Sequence, residues 1–428
     1  MVNEWELATI GVLGDWYGGL TPSMNNANYW NGNIPWLSSG EIKEPLISKS
    51  SKFITELALR KTSLTLLPKG TIVIVVRSGI LRIYFPVAEI QREMTINQDL
   101  KGIVVSKNFN SRFVLHLLTF LGGGILKSCL KSGTTVESVE LNWLKGFEIK
   151  LPLLPEQRSI AAALSDVDAY IAALGKLIYK KCAVKQGAMQ ELLTGRRRLP
   201  GFSGEWTEKP LSEIADEIIM GQSPDSHFYN DAQIGLPLVQ GNADIENRHT
   251  IIRFYTSVTT KYGQKNDTIM TVRAPVGAVA KADFDCCLGR GVCAMRGNEF
   301  LYQLLVYFEP QWGAMSTGST FDSISGNELR EVRFTVPTDK DEQTAIAEVL
   351  SDMDAEIDAL MAKLNKAKHI KQGMMSELLT GRIRLIEQKT VADTVSPLKI
   401  ISYPYPTDDL LKVAETEKEY NSGGNDNA

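Results

Sequence analysis

Arginines, carboxamides and aromatic rings recur beside glycine–proline turns along this 428-residue chain, and they are the groups able to read a nucleic acid. In the major groove an arginine pairs bidentately with guanine, and a glutamine or asparagine with adenine. Other lysines and arginines seat phosphates. In the first half the candidates are Trp16, Tyr17, Asn25, Asn26, Tyr29, Trp30, Arg77, Ser78, Arg82, Asn97 and Gln98. In the second they are Gln222, Ser223, His227, Tyr229, Gln240, Asn242, Arg248, Arg253, Lys261, Arg273, Arg290 and Arg296. Each alone reads as a solvated surface residue or a strand-end residue. As a duplicated set they suit two binding modules joined by a spacer, on a two-part target.

Catalytic chemistry finds no such foothold, so neither a catalytic residue nor a metal is expected. Gly122-Gly123-Gly124 precedes Lys127-Ser128 without the spacing of a phosphate-binding loop. The four histidines are scattered, and Cys286-Cys287 and Cys293 lack the Cys-x-x-Cys spacing of a metal site, reading instead as buried thiols. There is no Asn/Asp-Pro-Pro-aromatic tetrapeptide of the amino-methyltransferase kind and no glycine fingerprint for S-adenosylmethionine.

The elements that must position these groups come from an internal repeat. Residues 156–199 align without a gap to 342–385, and 25 of the 44 positions are identical. Fainter matches precede each copy: Glu4-Trp5 with Glu205-Trp206, Gly19-Leu20-Thr21-Pro22 with Gly221-Gln222-Ser223-Pro224, and Gly133-Thr134-Thr135 with Gly318-Ser319-Thr320. Within the strong repeat, apolar residues step by 4 and 3 through Ile160, Leu164, Val167, Ile171, Leu174 and Ile178. The same steps run through Ile346, Leu350, Met353, Ile357, Leu360 and Leu364. Such a seam holds one face of a helix against another helix. Ordinary bundle packing would produce the same stripe, but the shared length and register favour an antiparallel coiled coil. Lys185 and Lys371 interrupt the second half of each seam. Pro155 and Pro337 mark the helix starts, and Gly195 and Gly381 the ends.

The regions before the helices read as mixed α/β, with strands at 71–76, 101–105, 268–272 and 332–336 and short helices at 113–121 and 299–308. The fold expected is therefore α+β: two similar mixed α/β domains separated by two long antiparallel helices about a pseudo-two-fold. The expected units are a domain at 1–150, a helix at 151–200, a domain at 201–337, a helix at 338–386 and an irregular tail at 387–428.

The stretches LPLLPEQRSIAAALSDVDAYIAAL…KQGAMQELLTGRRRLPGF and VPTDKDEQTAIAEVLSDMDAEIDAL…KQGMMSELLTGRIRL resemble the two conserved regions of type I restriction-modification specificity subunits. PWLSSGEI, SGTTVESV and GSTFDSIS resemble stretches of that family's target-recognition domains. The resemblance spans about residues 1–386. It implies a non-catalytic subunit whose two recognition domains each read half of a bipartite site in double-stranded DNA. The helices would act as spacer and dock two methylation subunits, and restriction (motor–nuclease) subunits would complete the complex. S-adenosylmethionine would then belong to the methylation subunits, and ATP and Mg²⁺ to the restriction subunits. Two other readings are a coiled-coil adaptor that never touches DNA and a fused restriction–methylation enzyme.

Bulk composition fits a chain of two to three domains with ample core. The longest apolar run, around Ile72–Val76, is far short of a bilayer span. The acidic start Glu4-Trp5-Glu6 is unlike a signal peptide. With five sparse cysteines, the expectation is a reduced, cytoplasmic protein without membrane contact. The net charge of −4 argues against a uniformly basic nucleic-acid-coating protein, but it is unevenly spread. Residues 1–150 hold 16 basic against 12 acidic side chains, and residues 201–337 hold 11 against 17. That split suggests that partners supply much of the grip on the DNA backbone.

Overall fold

The computed structural model describes residues 5–131, 136–315 and 323–385. Glu4, both Gly-Ser/Thr-Thr repeats at 133–135 and 318–320, and the tail at 387–428 lie outside the described residues. The first half runs β1 (Glu6–Thr9), β2 (Gly14–Gly18), β3 (Trp30–Leu37), β4 (Ile72–Val75), β5 (Val87–Ile90), β6 (Leu100–Val105), α1 (Ser111–Cys129), β7 (Glu148–Leu151) and α2 (Leu154–Leu192), with shorter segments between. The second runs β8 (Trp206–Pro210), β9 (Glu217–Met220), β10 (Leu236–Val239), β11 (Thr268–Thr271), β12 (Val279–Lys281), β13 (Val292–Arg296), α3 (Glu299–Met315), β14 (Arg333–Pro337) and α4 (Lys340–Leu378).

The duplication of the two sheet domains, faint in sequence, is plain in topology. Antiparallel neighbours run β2-β6-β4-β5 in one sheet and β9-β13-β11-β12 in the other. Each domain is closed at its base by pairing its first strand with its last, β1 with β7 and β8 with β14. Ile72-Val73-Ile74-Val75 is buried throughout, as expected for a central strand covered on both faces. The helix expected at 113–121 continues to Cys129 across three glycines. Glycine disfavours helix. Here tertiary packing overrides the propensity, because Phe113, Leu117, Ile125 and Cys129 are all buried and a Cβ on Gly122 would lie 3.1 Å from Phe85. The counterpart helix likewise runs past Phe308 to Met315.

The two long helices each have 39 residues, about 58 Å at 1.5 Å per residue. Pro155 sits in the first turn of α2, where its missing N–H costs nothing, and Asp339 caps α4 by accepting from the Asp341 amide. Beyond the last turns, Gly195 and Gly381 adopt φ of +69° and +73°, which turns the chain away. The helices are antiparallel, as reciprocal ion pairs make clear: Lys185 Nζ lies 2.6 Å from Asp354, and Lys371 Nζ 2.6 Å from Asp168. The two lysines that interrupt the apolar stripes are thus its polar clasps, related by the internal two-fold.

The seam is not one continuous stripe. Leu174, Leu360 and Ala367 form its centre with Ile171, Ile178 and Leu364 beside them, and Ile357 is buried nearby in sequence. Ile160 and Leu164 instead enter the first domain's core, and Ile346, Leu350 and the partly buried Met353 pack in the second domain's. Val167 is half-buried. The ends of the helices are covered by sheet and helix from the domains, so their apolar positions face those layers. Met375, Leu378 and Leu379 of the second helix end complete the first domain's core, and Met189, Leu192 and Leu193 complete the second's. Each domain is therefore seated on both helices. Among the described residues, no helix is long and apolar enough to cross a membrane.

Candidate nucleic-acid interface

Arg77, Gln98, Gln222, Ser223, Gln240, Arg273 and Arg290 fall at one end of each main sheet, and matched backbone bonds show that the two ends are equivalent. Where β4 ends, the Val76 amide donates to the Asp99 carbonyl (2.9 Å); where β11 ends, Val272 donates to Gly291 (2.9 Å). The Leu20 amide donates to Ile96 and Gln222 to Leu288, and Asn97 donates to Leu37 as Gly289 does to Val239. Gly19 and Gly221 pass so close to the neighbouring loop that a Cβ would lie 2.0 Å from the Asn97 carbonyl and 2.1 Å from that of Gly289. Only glycine fits there, which accounts for the repeated Gly-x-Thr/Ser-Pro turn.

This register makes Arg77 the counterpart of Arg273, Gln98 of Arg290, Thr21 of Ser223 and Ser38 of Gln240. Thr21 Oγ1 donates to Gln98 Oε1 (2.6 Å), and the Arg290 amide donates to Ser223 Oγ (3.0 Å). Arg77 and Arg273 both project from the strand end, exposed, and neither has a carboxylate in ion-pair range among the described residues. The paired edges share a backbone but carry different side chains. Thr21 was outside the expected set, although the repeated Gly-x-Thr/Ser-Pro turn already pointed to it.

Around these positions lie Asn25, exposed in the turn after Thr21, and Asn242, exposed after Gln240. Tyr229 donates to the Pro224 carbonyl (3.1 Å) and to Gln240 Oε1 (3.3 Å), fixing that turn. Ser78 Oγ accepts from the Ile80 amide, and the Gln222 carbonyl accepts from Thr260.

Other candidates are held elsewhere. Trp16 and Tyr17 pack against the first core, with Lys145 Nζ 5.2 Å above the Trp16 ring. Tyr29 joins Trp30 and Trp36 in a small apolar cluster. Arg82 pairs with Glu137, Arg248 with Glu309, and Arg253 lies 3.9 Å from Asp244. These guanidiniums are neutralised within the domain, so a phosphate would have to compete with a carboxylate for each.

At the opposite end of the first sheet is a cleft of about 330 Å³ lined by Lys69, Lys107 and Arg158 beside the starts of α1 and α2. The candidates overlooked this basic surface because its three cations are far apart in sequence.

Between the interfaces, the two halves meet at matched polar nodes. In one, Gln303 Nε2 donates to Asp354 (2.9 Å), which also holds Lys185. In the other, buried His116 faces Asp168 at 4.0 Å, with Lys371 on the same carboxylate. Burial pushes the His116 imidazole down to about 4, outweighing the attraction of Asp168 and aided by Lys371 and Arg112. The unfolded chain takes up this proton below about pH 6.5, whereas the folded chain resists until about pH 4. The stability tied to neutral His116 is therefore complete above pH 6.5 and falls as the pH drops, by about 3 kcal/mol at pH 4. His116→Gln, which copies the other node, should flatten this part of the urea-midpoint profile between pH 6.5 and 4. A profile parallel to that of the native chain would contradict it.

Cys286 and Cys293 are buried, and burial pushes both thiols up to about 12. All five cysteines are free. Among the described residues, no three His, Cys, Asp or Glu side chains form a metal-binding group.

The family model for the type I restriction modification DNA specificity domain matches residues 3–180 and 203–369, well over half of the chain. The chain belongs to this specificity-domain family. Each match takes in one mixed domain and most of the long helix after it, so the family unit is a sheet domain together with its helix. The type I restriction enzyme EcoR124I/EcoR124II specificity subunit of Escherichia coli is 38% identical over 167 residues, 39% of this chain and 41% of that one. The type I restriction enzyme MjaVIII specificity subunit of Methanocaldococcus jannaschii is 23% identical over 415 residues, 90% of this chain and 94% of that one. The crystal structure of the type I restriction-modification system S subunit from M. genitalium aligns with a TM-score of 0.61 at 16% identity, covering 89% of this chain and 97% of that one. The shared fold of this specificity-domain protein is two mixed α/β domains and two long helices.

Proposed function

We propose that this chain is the DNA-reading specificity subunit of a type I restriction-modification complex, and that each domain reads one half of an asymmetric bipartite site. The observation that carries this reading is the pair of equivalent sheet edges, in a duplicated specificity domain, on which an exposed arginine is repeated and its neighbours differ. Arg77 and Arg273 suit guanine, whereas the Gln98 and Arg290 positions suit adenine and guanine respectively. Equal scaffolds with unequal side chains favour two different half-sites. Helices about 58 Å long can hold those half-sites one to two turns apart at roughly 34 Å per turn. The chain would be non-catalytic. Two methylation subunits would dock on the helices and bring S-adenosylmethionine, and restriction subunits would bring ATP and Mg²⁺. Counterion release dominates non-specific affinity, so the acidic second half fits a subunit that depends on partners for its grip.

Arg77→Ala and Arg273→Ala test the reading in the assembled complex. Each should weaken specific binding by about 1–3 kcal/mol, roughly 5- to 150-fold, and relax only its own half-site. Fluorescence anisotropy against cognate and half-site-mutated duplexes reads this out. Native affinity and native sequence preference in both variants would favour an adaptor that does not touch DNA.

A further inference from the structure

Each domain is fastened to the far end of the other half's helix by the same four-part clasp. Trp206, at the start of β8, lies against Gly195 just beyond α2, where a Cβ would stand 3.3 Å from the indole. The Arg198 guanidinium carbon is 5.7 Å from the Trp206 ring centre, and Arg198 Nη2 donates to Glu342 Oε2 (2.7 Å) in the first turn of α4. The other copy is Trp5 against Gly381, with a Cβ at 3.2 Å, Arg384 at 5.8 Å from the ring, and Arg384 paired to Glu156 in the first turn of α2 at 2.8 Å through both nitrogens. Trp5, just before β1, is thereby fastened to the segment beyond the end of the second helix, as Trp206 is to the segment beyond the first.

Each domain already rests on both helix ends, but through apolar contacts that set no fixed angle. The clasp adds a cation–π contact and a bidentate ion pair, both directional. Glu342 is fully buried and Glu156 nearly so, which leaves each carboxylate little freedom to choose another partner. Gly195 and Gly381 permit the contact twice over, by their positive φ and by the missing Cβ.

We infer that the Trp5–Gly381–Arg384–Glu156 and Trp206–Gly195–Arg198–Glu342 clasps are positioning devices that set how strictly the gap between the two half-sites is measured. The helices set the mean separation, and the clasps set its tolerance. One extra base pair in the gap moves a half-site about 3.4 Å along the duplex and turns it about 35° around it. A rigid attachment rejects that change, whereas a pivoting domain follows it. This inference rests on the DNA-reading function proposed above.

The test uses the full chain expressed with its methylation partner, with methylome sequencing as the readout. The variant is the double substitution Arg198→Met, Glu342→Gln, which removes both charges and keeps an unbranched stem at 198, so that no carboxylate is left buried alone. Gly195→Ala, which crowds Trp206 without altering charge, is the second variant. For the native chain we expect one gap length, with sites one base pair longer or shorter modified at least tenfold less. For either variant we expect the same two half-site sequences but modification of the shifted gaps to within about threefold of the original. Assembly and the half-site sequences report that the variant is folded. A folded variant that keeps the native gap discrimination overturns the inference and leaves the DNA-reading function intact. A native complex that modifies no bipartite motif overturns both.

Discussion

Arg198→Ala is expected to destabilise the protein by about 3–5 kcal/mol, because it strands a carboxylate with no access to solvent. Glu342 is 0% exposed, and Arg198 holds it through two nitrogens. Removing the guanidinium leaves the Glu342 carboxylate buried without its partner, which is costly. Urea unfolding should show the midpoint falling without a matching change in slope. Combining Glu342→Gln with Arg198→Met should recover most of the loss, because the cost belongs to the orphaned charge rather than to the absence of the pair. The pseudo-symmetric Arg384→Ala, which exposes Glu156 to the same problem, should behave alike. A loss below about 1 kcal/mol in both single variants would mean that water reaches these carboxylates.

Leu174→Asp is expected to cost at least 4 kcal/mol and to abolish assembly with a methylation subunit. Leu174 sits at the centre of the helix pair against Leu360 and Ala367, with Ile171, Ile178 and Leu364 alongside. Away from the domain cores this small cluster is the main apolar contact between the helices, and polar pairs such as Lys185–Asp354 and Lys371–Asp168 flank it. Truncating a buried leucine costs about 2–5 kcal/mol, and placing a carboxyl group in the seam adds its desolvation. Leu174→Met, which conserves volume, should cost less than about 1.5 kcal/mol. Thermal unfolding followed by circular dichroism, together with co-purification of the partner, checks both. Normal assembly of Leu174→Asp would refute the placement of the seam.

Much of the scaffold could be read along the chain, because its signals are local. The 186-residue offset between Glu156-Gln157 and Glu342-Gln343 announces two equivalent helices, and runs such as Ile72–Val75 announce central strands. The reading loops were legible only as neighbourhoods. Trp16 has the right chemistry for stacking on a base, yet its strand turns it onto the core. Arg248 and Arg253 have the right charge, yet Glu309 and Asp244 answer them from elsewhere in the domain. Arg77 and Arg273 each follow a valine at the end of an apolar run that begins Thr-Ile, at Thr71 and Thr268, but the runs differ in length by one residue. Their equivalence emerges from backbone bonds that side-chain identity does not specify.

Two related halves and two long helices of equal length are written along the chain itself. Repeats, apolar spacing and motif spacing are properties of residues near one another in the chain. Three-dimensional packing settles which arginines stand exposed at a strand end, and why two lysines interrupt an apolar stripe. It also settles that each domain is seated on the other half's helix. Those outcomes depend on charges and rings brought together across 144 to 228 residues of intervening chain, as in Arg198–Glu342 and Arg384–Glu156. Contacts at such separation are selected by packing in three dimensions, where desolvation makes a buried carboxylate accept one partner and no other.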